Sequence, residues 1–165
     1  MDEHIEALVK LYQIHRVNLY LEPVNLSALA LTIVNGLQDL DPNRKITIVV
    51  AEGMVVNADK LFIKEFLDNL ISNAWKFTAG KEDARIEFGL RNLDGRAVYF
   101  VRDNGVGFNM NLVDNLFTPF LRLHQEDSGL GIGLASAQRI IRLHGGEIWA
   151  ESKEGEGATF YFTGL

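Results

Sequence analysis

Apolar residues recur at helical spacing along four stretches of the chain and alternate or cluster in short runs along five others. Ile5, Leu8, Val9 and Tyr12 share one face, which Val17 with Leu19 or Tyr20 continues, so residues 1–20 are predicted to form an amphipathic helix. Pro23 ends it, because proline disfavours helix in the residue before it. Leu26, Leu29, Ile33, Val34 and Leu37 predict a second helix from a cap at Asn25 or Ser27 to about Leu40, stopped by Asp41-Pro42. Ile63, Phe66, Leu67, Leu70, Ile71 and Ala74 make the apolar face of a third, capped by Asp59. A fourth resumes near Leu134 with Ala135, Ile140, Ile141 and Leu143 and ends at Gly145-Gly146, glycine being the favoured left-handed cap. Residues 45–51 are β-branched and read as a strand. Residues 85–91 alternate Ile86, Phe88 and Leu90, and pair with 97–102 across Asp94-Gly95, a strong hairpin signal. Two more strands, 147–152 and 158–163, flank a turn at 154–157, while 103–133 is glycine-rich without sustained periodicity. Hairpins with helices grouped between them predict an α+β fold, a mixed sheet covered on one face by helices.

Composition narrows the function classes. The 165 residues fit one domain, or one domain with an appendage. There are no cysteines, which excludes disulfides, thiolate metal sites and cysteine catalysis. A formal net charge of -6 argues against a general nucleic-acid binder, whose footprint is basic. No apolar run reaches the ~18 residues of a membrane span, and the charged start MDEHIEALVK lacks the order of a signal peptide. The chain therefore reads as cytoplasmic with no membrane contact of its own, which leaves open an anchor elsewhere in a longer parent.

Three clusters carry chemistry. Asn69, Asn73 and Lys76 fall at i, i+4 and i+7, on a helix face other than the apolar one, with Phe77 following. Asparagine is a poor helix former, so two on one face call for a role such as offering amide oxygens to a metal; solvated surface is the bland alternative. Asp103-Asn104-Gly105-Val106-Gly107-Phe108 follows a strand directly. Its two glycines let backbone approach a flat ligand, and Asp103 can accept from an exocyclic amine, although an ordinary Asx turn has the same composition. Gly129-Leu130-Gly131-Ile132-Gly133 opens a helix, where exposed N–H groups and the positive dipole end suit phosphate. No Lys-Ser or Lys-Thr follows, so it is not a Walker loop, and no strand runs into it as a Rossmann fingerprint requires.

In this order and spacing the clusters resemble the N box and the two glycine boxes of the histidine-kinase, gyrase, Hsp90 and MutL ATPase family. Leu116-Phe117-Thr118-Pro119-Phe120-Leu121-Arg122 resembles the phenylalanine box of the kinases. His144-Gly145-Gly146 with Gly155-Glu156-Gly157-Ala158-Thr159-Phe160 is similar to their usual ending, and Leu21–Ser27 resembles the segment joining their dimerisation helices to the catalytic domain.

The resemblance implies a two-layer α/β sandwich of the Bergerat type, a mixed sheet covered by three helices, spanning 23–165 after a helical segment or linker at 1–22. It implies Mg-ATP binding and transfer of the γ-phosphate to a histidine of a separate dimerisation domain, with a response regulator downstream. A nucleotide-binding signalling module without catalysis, or a serine kinase of the anti-sigma-factor type, are the alternatives on the same fold. Asp103 would read the adenine amine, with Gly105 and Gly107 shaping its pocket. Asn73 would hold Mg2+, with Asn69 as a second candidate, and Lys76 would meet phosphate. Residues from about Asn109 to Ser128 would form a flexible lid hinged on Gly129, Gly131 and Gly133, with Arg122 near the terminal phosphate. Phe77, Phe108, Leu130 and Leu134 complete the implied nucleotide contacts. Phosphoryl transfer fits such a site, because it asks the protein for positioning and charge neutralisation more than covalent chemistry.

There are departures from the family pattern. No histidine is followed by the acidic residue of a phosphoacceptor box: Ile5 follows His4, and Arg16 follows His15. Ala158 stands where many relatives carry threonine. Gyrase-type relatives place a glutamate at the position of Asn69, whose amide cannot act as a general base. The isolated chain is thus expected neither to autophosphorylate nor to hydrolyse ATP. The bulky Trp75 is expected to pack on the sheet or the first helix.

Overall fold

The computed structural model describes Ile5, residues 18–118 and residues 133–165. Its helices are α1 (Leu26–Leu40), α2 (Lys60–Phe77) and α3 (Gly133–Leu143). Its strands are β1 (Leu21–Asn25), β2 (Thr47–Val50), β3 (Val55–Asp59), β4 (Arg85–Leu93), β5 (Arg96–Asp103), β6 (Ile148–Lys153) and β7 (Gly157–Phe162). A five-stranded sheet runs β2-β4-β5-β7-β6. It is mixed: β2 pairs with β4 in parallel, and the other neighbours are antiparallel. The parallel pair needs a crossover, which β3 and α2 supply.

Alternation along β4, β5 and β7 sends Ile86, Phe88, Tyr99, Val101, Phe160 and Phe162 into one core with the apolar faces of the helices. Phe66 of α2 meets Phe162 edge-on at 4.7 Å between ring centres, and both rings are fully buried. Each such side chain contributes roughly 1.5–3 kcal/mol by leaving water. Among the described residues, the opposite face of the sheet carries a small cluster, Val98, Phe100 and Tyr161 beside Trp149, with the Arg91 and Arg102 guanidinium groups 5.0 and 5.4 Å above Phe100. Helices therefore cover one face, as predicted.

Helix ends follow the sequence signals. Asn25 caps α1 by accepting from Ala28 N–H, and Asp59 caps α2 by accepting from Leu61 and Phe62 N–H. Gly145, at φ +83, ends α3: its N–H reaches Arg142 O and that of Gly146 reaches Ile141 O, the paired bonds of a Schellman cap.

Two strands depart from the sequence expectation. Residues 21–25, read as a linker, form β1, and 55–59, left unassigned, form β3; the two pair as a separate antiparallel sheet. Pro23 is tolerated because β1 has a single neighbour and so needs only one row of donors. The boundary placed between residues 22 and 23 thus cuts a strand whose Leu21 and Glu22 oppose Asp59 and Ala58. Of the predicted 1–20 helix, the described residues are Ile5, helical and half-exposed, and 18–20, which are neither helix nor strand. The helix therefore does not continue through Leu19 and Tyr20. Tyr20 N–H instead donates to the Asp59 carboxylate at 2.9 Å, which turns the chain into β1.

His144 closes the packing of α3 on α2. Its Nδ1 lies 2.8 Å from Ile140 O and its Nε2 accepts from Asp59 N–H at 3.0 Å, which fixes a neutral ring with the proton on Nδ1. Ser136 on α3 is the exception to polar satisfaction: among the described residues its Oγ is the one buried side-chain polar atom without a partner. An unmet buried hydroxyl costs about 1–3 kcal/mol, and alanine is the better helix former. Ser136→Ala is thus expected to raise stability by about 1 kcal/mol, read as a higher urea midpoint. A lower midpoint would mean that the hydroxyl is engaged.

Candidate functional site

The 103–108 loop leaves β5 at its buried end and is held in place on every side. Asp103 is 5% exposed and accepts from Gly105 N–H at 2.8 Å, an Asx-type closure made by the same carboxylate that was expected to read a ligand. The main chain of Ala158 bonds it too, so the missing threonine hydroxyl leaves a backbone contact standing. Burial outweighs these bonds and raises the Asp103 carboxyl to about 6. Asn104 accepts from Arg85 N–H and donates to Asp83 O, both at 2.8 Å. Val106 N–H donates to Phe77 O at 3.1 Å, and Val106 O accepts from Gly155 N–H at 2.7 Å. Phe108 N–H donates to Ser152 Oγ at 2.8 Å. The loop is thus strapped to the end of α2 on one side and to the β6–β7 turn on the other.

Two glycines allow this. A Cβ at Gly105 would overlap the Phe77 carbonyl, so only glycine lets the loop lie against the end of α2. Gly107 is at φ +64, and a Cβ there would overlap the Lys153 carbonyl.

The other end of the site is set by α2 as well. Asn69, Asn73, Lys76 and Phe77 are all half-buried, on a face distinct from buried Leu67, Leu70, Ile71 and Ala74. Gly133 opens α3 against this face: a Cβ there would lie 3.3 Å from Asn69 Oδ1. Phe77 follows Asn69 by two turns of one helix, a rise of about 12 Å. The 103–108 loop and the start of α3 are therefore separated by a span on the scale of an extended nucleoside triphosphate, with Asn73 and Lys76 between them. The Lys76 ammonium lies 5.1 Å from the centre of the Phe77 ring.

These positions bring the first two clusters and the end of the third together. Gly133 and Leu134 are half-buried at the start of α3, while Arg122, Gly129, Leu130 and Gly131 lie outside the described residues, as does the lid beyond Thr118. At the described beginning of that segment Met110–Asn115 is a 3-10 helix, and Leu116 is 2% exposed within the core. Phe108, expected among the nucleotide contacts, is a core residue at 2% exposure facing Phe160. Trp75 packs on the core as expected, with Arg44 stacked over it at 4.4 Å. Arg44 and Ser152 support the site without any local motif to mark them, because each acts on backbone distant in sequence, whereas Gly155 belongs to the ending already recognised in the sequence.

Residues 58–164 match the family described as histidine kinase-, DNA gyrase B- and HSP90-like ATPase. The chain belongs to that ATPase family. Its curated relatives are longer proteins. The methanogenesis regulatory histidine kinase FilI of Methanothrix harundinacea is 39% identical over 122 residues, which is 73% of this chain and 14% of FilI. Cyanobacterial phytochrome B of Nostoc sp. is 34% identical over 168 aligned residues, 99% of this chain and 22% of the phytochrome. The solved catalytic domain of histidine kinase ThkA in a nucleotide-free form is 27% identical with a TM-score of 0.72, the match covering 87% of this chain and 96% of ThkA's domain. Within the ATPase family the chain is thus the ATP-binding catalytic domain of a sensor histidine kinase, and its mixed sheet with helices on one face is the fold of those domains. No helix among the described residues is long and apolar enough to cross a membrane.

Proposed function

We propose that the chain binds Mg-ATP along α2 and, within its parent kinase, presents the γ-phosphate to a histidine on a separate dimerisation domain, from which a response regulator receives it. The observation that carries this reading is the buried Asp103 carboxylate at one end of α2 and the start of α3 against Asn69 at the other. Asp103 accepts from the adenine amine. Gly105 and Gly107 shape the base pocket by letting the loop lie against the end of α2 and the β6–β7 turn. Lys76 neutralises phosphate charge, and the N–H groups opening α3 at Gly133 and Leu134 receive phosphate oxygens. Residues 1–20 lead in from the dimerisation helices, and the catalytic domain begins with β1.

The donor chemistry suits Mg2+. Asn69 and Asn73 each offer a hard neutral oxygen from a half-buried helical position. Mg2+ takes few protein ligands and keeps waters and phosphate oxygens for the rest. Asn73, central on the face, would hold it, with Asn69 beside it; the ion would supply charge neutralisation at the phosphates. Asn73→Ala is expected to remove most of the gain in ATP affinity that Mg2+ gives, leaving metal-free ADP binding little changed. Titrations with and without Mg2+ that shift equally in the variant would exclude this assignment.

The isolated chain is expected to bind ATP without consuming it. Asn69 cannot take a proton from water, and Asp68 lies about 100° around the helix from it. The pure chain with γ-labelled ATP and Mg2+ should yield neither labelled protein nor released phosphate. Addition of a dimerisation domain with an acceptor histidine should give an acid-labile phosphoprotein. An acid-stable product would point to a serine acceptor and overturn the reading.

A further inference from the structure

Arg44 lies in the loop between α1 and β2, outside every motif of the family, and is half-buried. Its guanidinium donates from Nη1 to Trp75 O and from Nη2 to Thr78 Oγ1, both at 2.6 Å, while its Cζ lies over the Trp75 ring, 4.4 Å from the ring centre. The C-terminal carbonyls of a helix have no partner within the helix, and a cation there also meets the negative end of its dipole. Thr78 reinforces the knot by turning its own hydroxyl back to Ala74 O at 2.8 Å. Arg44 thus fastens the last turn of α2. Two residues on in that turn, Phe77 O is the carbonyl that accepts from Val106 N–H and against which Gly105 lies. Gly105 N–H in turn bonds Asp103 Oδ1. A continuous path of short polar contacts and backbone packing therefore runs from Arg44 through the end of α2 to the carboxylate.

We propose that Arg44 is a positioning residue for base recognition: by clamping the end of α2 it fixes the Gly105–Val106 backbone and, through it, the direction in which Asp103 points. This rests on the reading of Asp103 as the acceptor for the adenine amine. The clamped last turn also carries Lys76, whose phosphate contact is common to ATP and GTP and so does not enter their ratio. Asn73 lies a full turn before Phe77, and Asn69 two turns, so the metal ligands are not loosened with it.

The test measures affinities for ATP and GTP, with and without Mg2+, in the wild type, Arg44→Ala and Arg44→Lys, each well below its own melting temperature. Arg44→Ala is expected to lose about tenfold in ATP affinity and to bring the ATP:GTP ratio close to one, while the factor by which Mg2+ strengthens binding stays at the wild-type value. Arg44→Lys keeps the charge and the fold but cannot span two acceptors with one planar fork, so its ratio should also fall. Methylguanidinium added to Arg44→Ala should restore the ratio, and added to Asp103→Asn should not. A purely structural role would lower stability and leave the ratio untouched. A wild-type ratio in folded Arg44→Ala or Arg44→Lys overturns the proposal while leaving the nucleotide reading intact. A wild type that fails to prefer ATP overturns the reading of Asp103, and the proposal with it.

Discussion

Replacing Asp103 with asparagine is expected to weaken ATP binding by about tenfold or more and to abolish the preference for ATP over GTP. A carboxylate accepts from the amine of adenine, whereas guanine presents an acceptor at that position and is repelled. The asparagine amide offers both a donor and an acceptor and so loses the distinction. Hydrogen bonds to charged groups contribute roughly 1.5–3 kcal/mol, which sets the size of the loss. Calorimetric titration with each nucleotide reads it, and equal affinity of the wild type for ATP and GTP would remove Asp103 from the role.

The same residue gives a pH dependence whose sign is opposite for binding and for folding. The folded carboxyl sits at about 6, above its ordinary 3.8, because burial disfavours the charge. Its favourable contribution to folding is therefore fully present below 3.8, where it is protonated in both states, and is lost as pH rises through about 6. Nucleotide binding needs the ionised form, so ATP affinity should fall as pH drops from about 7 to about 5. Asp103→Asn removes the titrating group: its affinity should be flat over that range, and its stability relative to the wild type should improve as pH rises. A wild-type affinity independent of pH through 6 would mean that the group binding adenine does not titrate there.

The second large effect is expected at Gly107. Gly107→Ala places a side chain in the left-handed region at φ +64 and drives its Cβ into the Lys153 carbonyl, with Gly157 O 2.9 Å away. Left-handed backbone costs about 1–2 kcal/mol and overpacking about 1–3 kcal/mol more, so a total loss of about 3 kcal/mol is expected, together with loss of ATP binding as the loop is displaced. Gly53→Ala is the control: its φ is +74 but a Cβ there meets nothing within 4 Å, so it should show the backbone cost alone. Equal urea midpoints for the two variants would show that the loop has room to move.

What the chain reveals before folding follows physical range. The helices were legible because their caps and apolar stripes are local: Asn25, Asp59 and Gly145 each act within a few residues. The hairpins of β4–β5 and β6–β7 were legible for the same reason. The β1–β3 pair was not, because its rungs join residues thirty or more positions apart and one strand contains Pro23. The amide face and the two glycine clusters were visible as patterns. Their meeting was not, since it depends on Phe77 O and on Gly133 reaching Asn69. Arg44 was invisible for a related reason: an arginine between two elements looks like solvated surface until the helix end it fastens is known.

The β1–β3 pair also sets how the domain would bear a mechanical load. Leu21 opposes Asp59 and Asn25 opposes Val55, so a pull on the chain ahead of Tyr20 that is directed across the strands, away from β3, loads the ladder from its Leu21 end, one rung at a time rather than all rungs in parallel. The first tie to part is Tyr20 N–H to Asp59, on the very carboxylate that caps α2 and beside the backbone N–H that holds His144 at the end of α3. Tension of that kind would thus be felt first where α2 and α3, the two helices of the proposed nucleotide site, are joined, before any strand of the central sheet is strained.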